Sequence, residues 1–311
     1  MRISDRKLSG GAGRGEKTMQ MTKLVALAAM LMLSVPAAAQ TTPDATLDRV
    51  ESRLDRIERR EPPPSRAGPR AEDVFPWELS FTLPFTWNSN VANASDNPDR
   101  AFHADPTLTL GKKWAIDGGT QFFVEGSVDS DAYTEHHEND SSTLSAQTGI
   151  RFGDASKRLA PYIHYTVLGL YAGQFETHDV TVHLFTVGAK RSWKAGEHGR
   201  VIADASALRR EATLKTVEQT RGTLSLTYVA DLDEKTSWSL GARGQYAHYT
   251  GGASSGRDDK TLRIAGGLTY LLKDNVALDL SASFQRNWSD RAGKDYSVWD
   301  IGPSLTLSTS F

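Results

Sequence analysis

The chain has 311 residues, a net charge of −2 and 39% hydrophobic residues, and it contains no cysteine. The absence of cysteine excludes a disulfide, a thiolate metal site and a cysteine nucleophile. The small net charge gives no indication of a nucleic-acid partner, and none is expected.

The first element in chain order is a predicted secretory signal peptide. Lys23 supplies a short basic region, residues 24–35 an apolar stretch, and residues 36–39 the small side chains that a signal peptidase reads. The apolar stretch is shorter than the roughly 20 residues of a membrane-spanning helix, which argues against the alternative of an anchoring helix. We therefore interpret residues 1–39 as a signal peptide cleaved after Ala39, with residues 1–18 upstream of the true start.

The second element, within residues 40–76, is a short helix followed by a Pro-rich linker at 61–70, because consecutive prolines end a helix. Four apolar residues recur at spacings of three, four and three: Leu47, Val50, Leu54 and Ile57. This is a heptad seam, and leucine at a with isoleucine at d favours trimers or tetramers. An apolar seam suits self-association better than a polar lumen. The sequence thus predicts a coiled-coil-like periplasmic helix that joins a homotrimer, and the alternative is a lone amphipathic helix.

The third element, residues 77–311, changes to an apolar period of two, which is typical of half-buried strands. In the first segment the apolar side is Trp77, Leu79, Phe81, Leu83, Phe85 and Trp87. In the last segment Trp299, Ile301, Leu305 and Leu307 alternate with polar residues in the same way. About twelve such segments follow one another, and the alternation is weakest at 160–172, 179–193 and 200–210. The pattern predicts a transmembrane antiparallel up-and-down β-barrel of about twelve strands.

The connections and the tryptophans support a barrel over a two-layer sandwich. Short turns follow the even-numbered segments and longer polar loops mostly follow the odd ones, as periplasmic turns and extracellular loops do. An even strand number places both barrel ends in the periplasm. Seven tryptophans fall at segment ends, where two interfacial girdles are expected: Trp77, Trp87, Trp114, Trp193, Trp238, Trp288 and Trp299.

The C-terminus carries a resemblance to a known class of proteins. Phe311, preceded by the alternating Leu305 and Leu307, is similar to the C-terminal signal that bacterial outer-membrane proteins present to the barrel assembly machinery. Residues 77–311 resemble porin-like barrels. The resemblance implies a bacterial outer-membrane location, with contacts to membrane lipid, lipopolysaccharide and the assembly machinery.

The polar side of the strands carries charges of both signs, which we interpret as candidate pore-lining residues: Glu78, Lys113, Glu125, Asp129, Arg151, Asp204, Arg221, Arg243, Arg263, Asp279 and Asp300. Opposed charges across a narrow pore select solutes by charge. The sequence therefore favours a channel for passive diffusion of small hydrophilic solutes. Arg243 and Arg263, on neighbouring strands, form a candidate ladder for carboxylate or phosphate solutes, although the inward acids oppose strong anion selection.

Three other functions stay open in the sequence. Inward Arg–carboxylate pairs could fill a closed lumen, which gives a plugged or structural barrel. An autotransporter-like export domain also has a helix before its barrel, but residues 40–76 hold no passenger. A lipid-modifying enzyme needs a base beside a nucleophile at the rim, and no such run is present. The acidic loop 133–140 contains two adjacent histidines, whose side chains would point apart in an extended segment. We interpret it as a solvated loop rather than a metal site, and we expect no metal and no cofactor.

Overall fold

The computed structural model describes residues 43–59, 76–116 and 119–311. The predicted signal peptide, its cleavage site and the Pro-rich linker at 61–70 lie outside the described residues. Over the described ranges, no helix is both long enough and apolar enough to cross a bilayer.

Within these ranges the chain forms one α-helix and thirteen β-strands. The helix, α1, is Pro43–Arg59. The strands are β1 Glu78–Asn88, β2 Ala101–Ala104, β3 Thr107–Ala115, β4 Gln121–Tyr133, β5 Ser141–Arg151, β6 Ala160–Ala172, β7 Thr177–Lys194, β8 Gly199–Ala212, β9 Gln219–Asp231, β10 Thr236–Tyr249, β11 Asp258–Lys273, β12 Val276–Ser289 and β13 Tyr296–Ser310.

The strands form one closed antiparallel sheet. From β4 to β13 each strand pairs with the next along the chain, and β13 pairs with β1 from Glu78↔Ser310 to Asn88↔Asp300. Trp77 and Phe311 extend this seam, because each backbone N–H donates to the other residue's carbonyl at 3.1 Å. Closure removes the unpaired strand edges of an open sheet. The predicted up-and-down antiparallel barrel is confirmed.

The thirteen described strands occupy twelve positions around the wall. β2 and β3 both pair with β1, β2 through Phe85↔Ala104 and β3 through Thr82↔Thr107. They are two halves of one wall position, interrupted between residues 104 and 107. Pro106 lies in the interruption and has no backbone N–H to donate to a ladder. The predicted number of about twelve strands therefore agrees with the structure.

The two ends of the barrel differ in their connections. One end, here the short-turn end, carries the connections 116–120, 152–159, 195–198, 232–235 and 274–275. The other, the long-loop end, carries the connections 89–100, 134–140, 173–176, 213–218, 250–257 and 290–295. Successive side chains of a strand point to opposite faces of the wall. Large apolar side chains are exposed on the outer face, for example Leu224 at 65% and Leu226 at 55%.

Candidate functional site

The lumen of the barrel is the candidate functional site, and helix α1 lies inside it. Arg53 of the helix contacts Asp129 and Asp131 on β4, whereas Arg59 contacts Asp300 on β13. Arg49 reaches Asp179 on β7. A single helix can contact such widely separated strands of a closed barrel only if it lies inside the lumen. The structure corrects the sequence prediction here, because the helix occupies the lumen rather than the periplasm beside the barrel.

The apolar seam of α1 packs against the barrel's own wall. Val50 and Leu54 are 1% and 2% exposed, while Leu47 and Ile57 pack partly buried against the same cluster. The wall supplies Leu168, Leu170, Val180, Val182, Ala212 and Val217. Burying a side chain the size of valine or leucine contributes about 1.5–3 kcal/mol. The seam was predicted to join chains into a trimer; in the structure it faces an apolar sector of its own lumen.

The opposite side of α1 is held by buried ion pairs around Asp131. This carboxylate is 0% exposed and accepts hydrogen bonds from Arg53 and, at 2.8 Å, from Arg56 Nε. His103 Nδ1 lies 3.2 Å from its other oxygen. Arg53 also donates to Asp129 and to the hydroxyl of Thr143. A buried charge is tolerated when it is paired and hydrogen-bonded in this way, so these contacts fix where the helix sits.

Carboxylates of α1 pair with cations and a tyrosine at the long-loop end. Glu51 accepts hydrogen bonds from Arg257 Nη1 at 3.0 Å and from Lys294 Nζ at 2.9 Å. Asp55 accepts one from the hydroxyl of Tyr296. Burial of Arg257, in the loop before β11, opposes its charged form, but Tyr249 and the nearby carboxylates outweigh burial and raise the pKa of Arg257. The arginines of the helix therefore pair with carboxylates of the barrel, and its carboxylates pair with cations of the barrel.

A polar cavity of about 290 Å³ lies between α1 and the wall. The helix contributes Glu51 and Asp55 to its lining, and the wall contributes Arg221, Gln245 and Thr261 among others. This volume is close to the lower limit of small-molecule sites. The helix therefore leaves water-accessible space within the long-loop half of the lumen.

The eleven predicted pore-lining residues all lie on the inward pleat of their strands. The structure brings several together in pairs. Lys113 Nζ lies 3.4 Å from Glu78 Oε2, and Arg243 is the direct register partner of Arg263 on the next strand. Asp129 and Asp300 form ion pairs with arginines of the helix, contacts that the sequence analysis did not predict. Whether these residues line a conducting path stays a prediction.

Other inward-facing candidate residues form side-chain hydrogen bonds with neighbouring strands of the barrel. Asp204 accepts a hydrogen bond from Tyr162 at 2.8 Å, and Asp279 accepts one from Thr269. His164 stacks on Tyr162 with ring centroids 5.6 Å apart. These contacts lie on β6–β8 and on β11–β12, away from the helix contacts on β4.

The tryptophans lie on the outward pleat near the strand ends. Trp77 and Trp114 form an edge-to-face pair at the short-turn end, and Trp299 packs on Phe284 toward the long-loop end. Trp193 is 47% exposed and Trp288 is 44% exposed on the outer face. Phe311 is 60% exposed beside the closing seam. Their membrane and assembly roles stay predictions.

The acidic loop at the long-loop end keeps its histidines close to carboxylates. His137 Nδ1 lies 3.3 Å from Asp140 Oδ2. Burial raises the pKa of Asp140, although hydrogen bonds from the Tyr133 N–H and from His137 lower it. Among the described residues, no group of three or more candidate ligands is placed to hold a metal ion.

The sequence contained two signals for the lumenal helix that the coiled-coil interpretation did not use. Four arginines of α1, at 49, 53, 56 and 59, recur at spacings of four, three and three, and all are buried. Inward carboxylates on several strands match them. The weak alternation at 160–172 and 179–193 was the second signal, because β6 is apolar on both faces where the seam packs and β7 turns Val180 and Val182 inward.

The family described as "Putative beta-barrel porin 2" matches residues 83–309. No curated protein matches the chain.

Three solved structures match the chain at low sequence identity. LpxR from Salmonella typhimurium is 10% identical, with a TM-score of 0.43, and covers 74% of this chain and 99% of its own. The translocator domain of the autotransporter NalP from Neisseria meningitidis is 13% identical, with a TM-score of 0.46, and covers 87% and 99%. An outer membrane channel from Pseudomonas putida F1 is 11% identical, with a TM-score of 0.46, and covers 80% and 100%.

Proposed function

Because the chain belongs to the Putative beta-barrel porin 2 family, we propose that it is a bacterial outer-membrane channel for passive diffusion of small hydrophilic solutes, narrowed by its own helix α1. In this proposal the long-loop end faces the outside of the cell and the short-turn end faces the periplasm. Solutes pass beside the helix in the long-loop half and through a wider polar lumen in the other half.

The polar inward face of the short-turn half is the observation that carries the proposal. On β1 and β9–β13 the inward side chains of this half include many small hydroxyl residues, such as Ser80, Thr82, Thr227, Ser239, Thr306 and Ser308. All of these are exposed or half-exposed rather than packed against a filling group. The larger Glu78, Lys113, Glu125, Arg151 and Asp204 face inward elsewhere in the same half. Side chains fill the interior of small barrels, whereas short hydroxyl side chains along one sector of the lumen leave room for water. This polar sector of the lumen favours a channel.

Single-channel recording in planar bilayers tests the proposal. We expect discrete conductance steps from the folded full-length chain. The charge reversal Arg53→Asp places a third carboxylate beside Asp129 and Asp131, which weakens the docking of the helix. If α1 narrows the path, this variant shows larger steps than the native chain.

Lys273→Asp is the matched control, because it makes the same change in net charge at an exposed position of the short-turn end. Its conductance should equal that of the native chain. Absence of steps from all three folded proteins would count against a channel. Equal steps from all three would show that the helix does not narrow the path.

The docked helix favours a second candidate function, a barrel that is closed at rest. The buried ion pairs at Asp131 and the apolar packing of Val50 and Leu54 hold α1 in the lumen. In this case Arg53→Asp conducts while the native chain is silent. The same recordings therefore separate a constricted channel from a plugged barrel.

A further inference from the structure

The end of α1 brings three arginines together in the lumen. Arg59 closes the helix, and Arg243 and Arg263 are direct register partners on β10 and β11. Side chains at directly opposed positions of an antiparallel pair lie close together, and like charges there repel. Arg263 interacts electrostatically with both Arg59 and Arg243, and both interactions are repulsive. The end of α1 therefore brings a third guanidinium to a pair of arginines on the wall.

The carboxylate of Asp300 lies against this cluster. Asp300 Oδ2 lies 3.2 Å from Arg59 Nε, and its other oxygen accepts a hydrogen bond from Asn88 at 2.9 Å. Asp300 also attracts Arg263.

Within the part of the chain that the structure describes, nitrogen atoms of Arg263 and Arg59 have no hydrogen-bond acceptor. Arg263 Nε and Arg59 Nη1 are buried, and neither makes a hydrogen bond to any described residue. The Arg59 side chain as a whole is 6% exposed. A buried guanidinium N–H without an acceptor is costly, and a carboxylate or phosphate oxygen is the acceptor whose geometry a guanidinium matches.

The neighbouring cavity gives a small molecule access to the cluster. Gln245 and Thr261 line the cavity. On β10, Gln245 is the next inward residue after Arg243 toward the long-loop end, and on β11 Thr261 has the same relation to Arg263. A solute in the cavity therefore lies one pleat from the arginine pair. Arg221, on β9, lines the same cavity.

We propose that Arg59, Arg243 and Arg263 bind the anionic group, a carboxylate or a phosphate, of a small solute in the lumen. The bound group competes with Asp300 for Arg59, so the solute contacts the wall and the helix at once. The inference deepens the proposed channel by naming a solute class, but binding itself does not require conduction.

Isothermal titration of the folded full-length chain in detergent tests the site, with inorganic phosphate and malonate as probes at constant ionic strength. We expect saturable binding at one site by at least one probe. Each charge-assisted hydrogen bond that is lost lowers affinity about tenfold or more. Arg263→Gln and Arg243→Gln should each show such a loss, and the second variant serves if the first does not fold.

Arg286→Gln is the matched control, since it removes the same charge from the outer face of β12, where the side chain is 38% exposed. It should bind as the native chain does. No saturable binding of either probe, or equal affinity in both arginine-pair variants and the native chain, would overturn the site. Binding without conductance would refute the channel and retain the site, whereas conductance without binding would do the reverse.

Discussion

At the residue scale, Arg53 shows how one side chain sets the position of a whole element. It is 1% exposed and contacts Asp129, Asp131 and Thr143, so its charge and most of its donors are satisfied by β4 and β5. Buried ion pairs add little net stability, because desolvation offsets their attraction. Removing one partner is nevertheless costly, because the remaining charge is left buried. Arg53 therefore specifies where α1 docks more than it stabilises the barrel.

Gly302 is a second position where one residue decides the geometry, in this case at the closing seam. A Cβ at this position would lie 2.1 Å from the backbone oxygen of Phe85. Backbone atoms cannot rotate away as a flexible side chain can. We expect Gly302→Ala to reduce the free energy of unfolding by about 1–3 kcal/mol through overpacking. Urea unfolding in lipid vesicles, followed by tryptophan fluorescence, measures this loss.

Gly244→Ala is the control for the seam prediction. Gly244 lies within β10, and a Cβ there meets nothing within 4 Å. Its unfolding midpoint should be close to that of the native chain. Equal stability of the two alanine variants would contradict the close approach of β1 and β13 at Gly302.

At the element scale, α1 and the sheet complement each other in shape and in polarity. The seam of Val50 and Leu54 meets the apolar sector of β6–β8, and the arginine side meets carboxylates on other strands. Most of a helix's stability in a protein comes from the tertiary packing of its amphipathic face. The helix therefore depends on the lumen for its stability.

This dependence predicts a protease-sensitive helix when the seam is weakened. Leu54→Ala should cost about 2–5 kcal/mol of docking free energy, as buried leucine truncations do. Trypsin cleaves after arginine, and the arginines of α1 are buried while the helix is docked. We expect slow cleavage within α1 in the native chain and fast cleavage in Leu54→Ala, measured by mass spectrometry of the fragments.

Leu144→Ala is the control, because Leu144 is 53% exposed on the outer face of β5. It should leave cleavage within α1 unchanged. Loss of an oligomer in Leu54→Ala with unchanged protease resistance would instead support the trimer seam predicted from sequence.

At the scale of the whole molecule, the two ends of the barrel provide a test of its orientation. Glu138 lies at the long-loop end and Glu197 at the short-turn end, with side chains that are 62% and 84% exposed. Because the native chain contains no cysteine, a single engineered thiol gives an unambiguous signal.

We expect Glu138→Cys to react with a membrane-impermeant maleimide on intact cells. Glu197→Cys should react only after the outer membrane is permeabilised. The opposite pattern would place the long loops in the periplasm and reverse the proposed orientation.

The sequence by itself determined the barrel, because side-chain alternation is a local property of each strand. The period of two from Trp77 to Phe311, with alternating short and long connections, was enough to predict an antiparallel barrel of about twelve strands. The inward placement of the candidate residues followed from the same alternation, since one face of each strand must meet lipid.

Only the tertiary structure decided where the helix lies and what the inward charges contact. The heptad seam of α1 has the same spacing whether it meets another helix or an apolar wall, so its partner is not encoded locally. The apolar sector that receives it is assembled from β6, β7 and β8 and the loop after β8, and it exists only once the barrel closes. The pairing of Arg59 with Asp300 spans most of the chain. Such contacts depend on closure of the sheet, because only closure brings distant strands around one lumen.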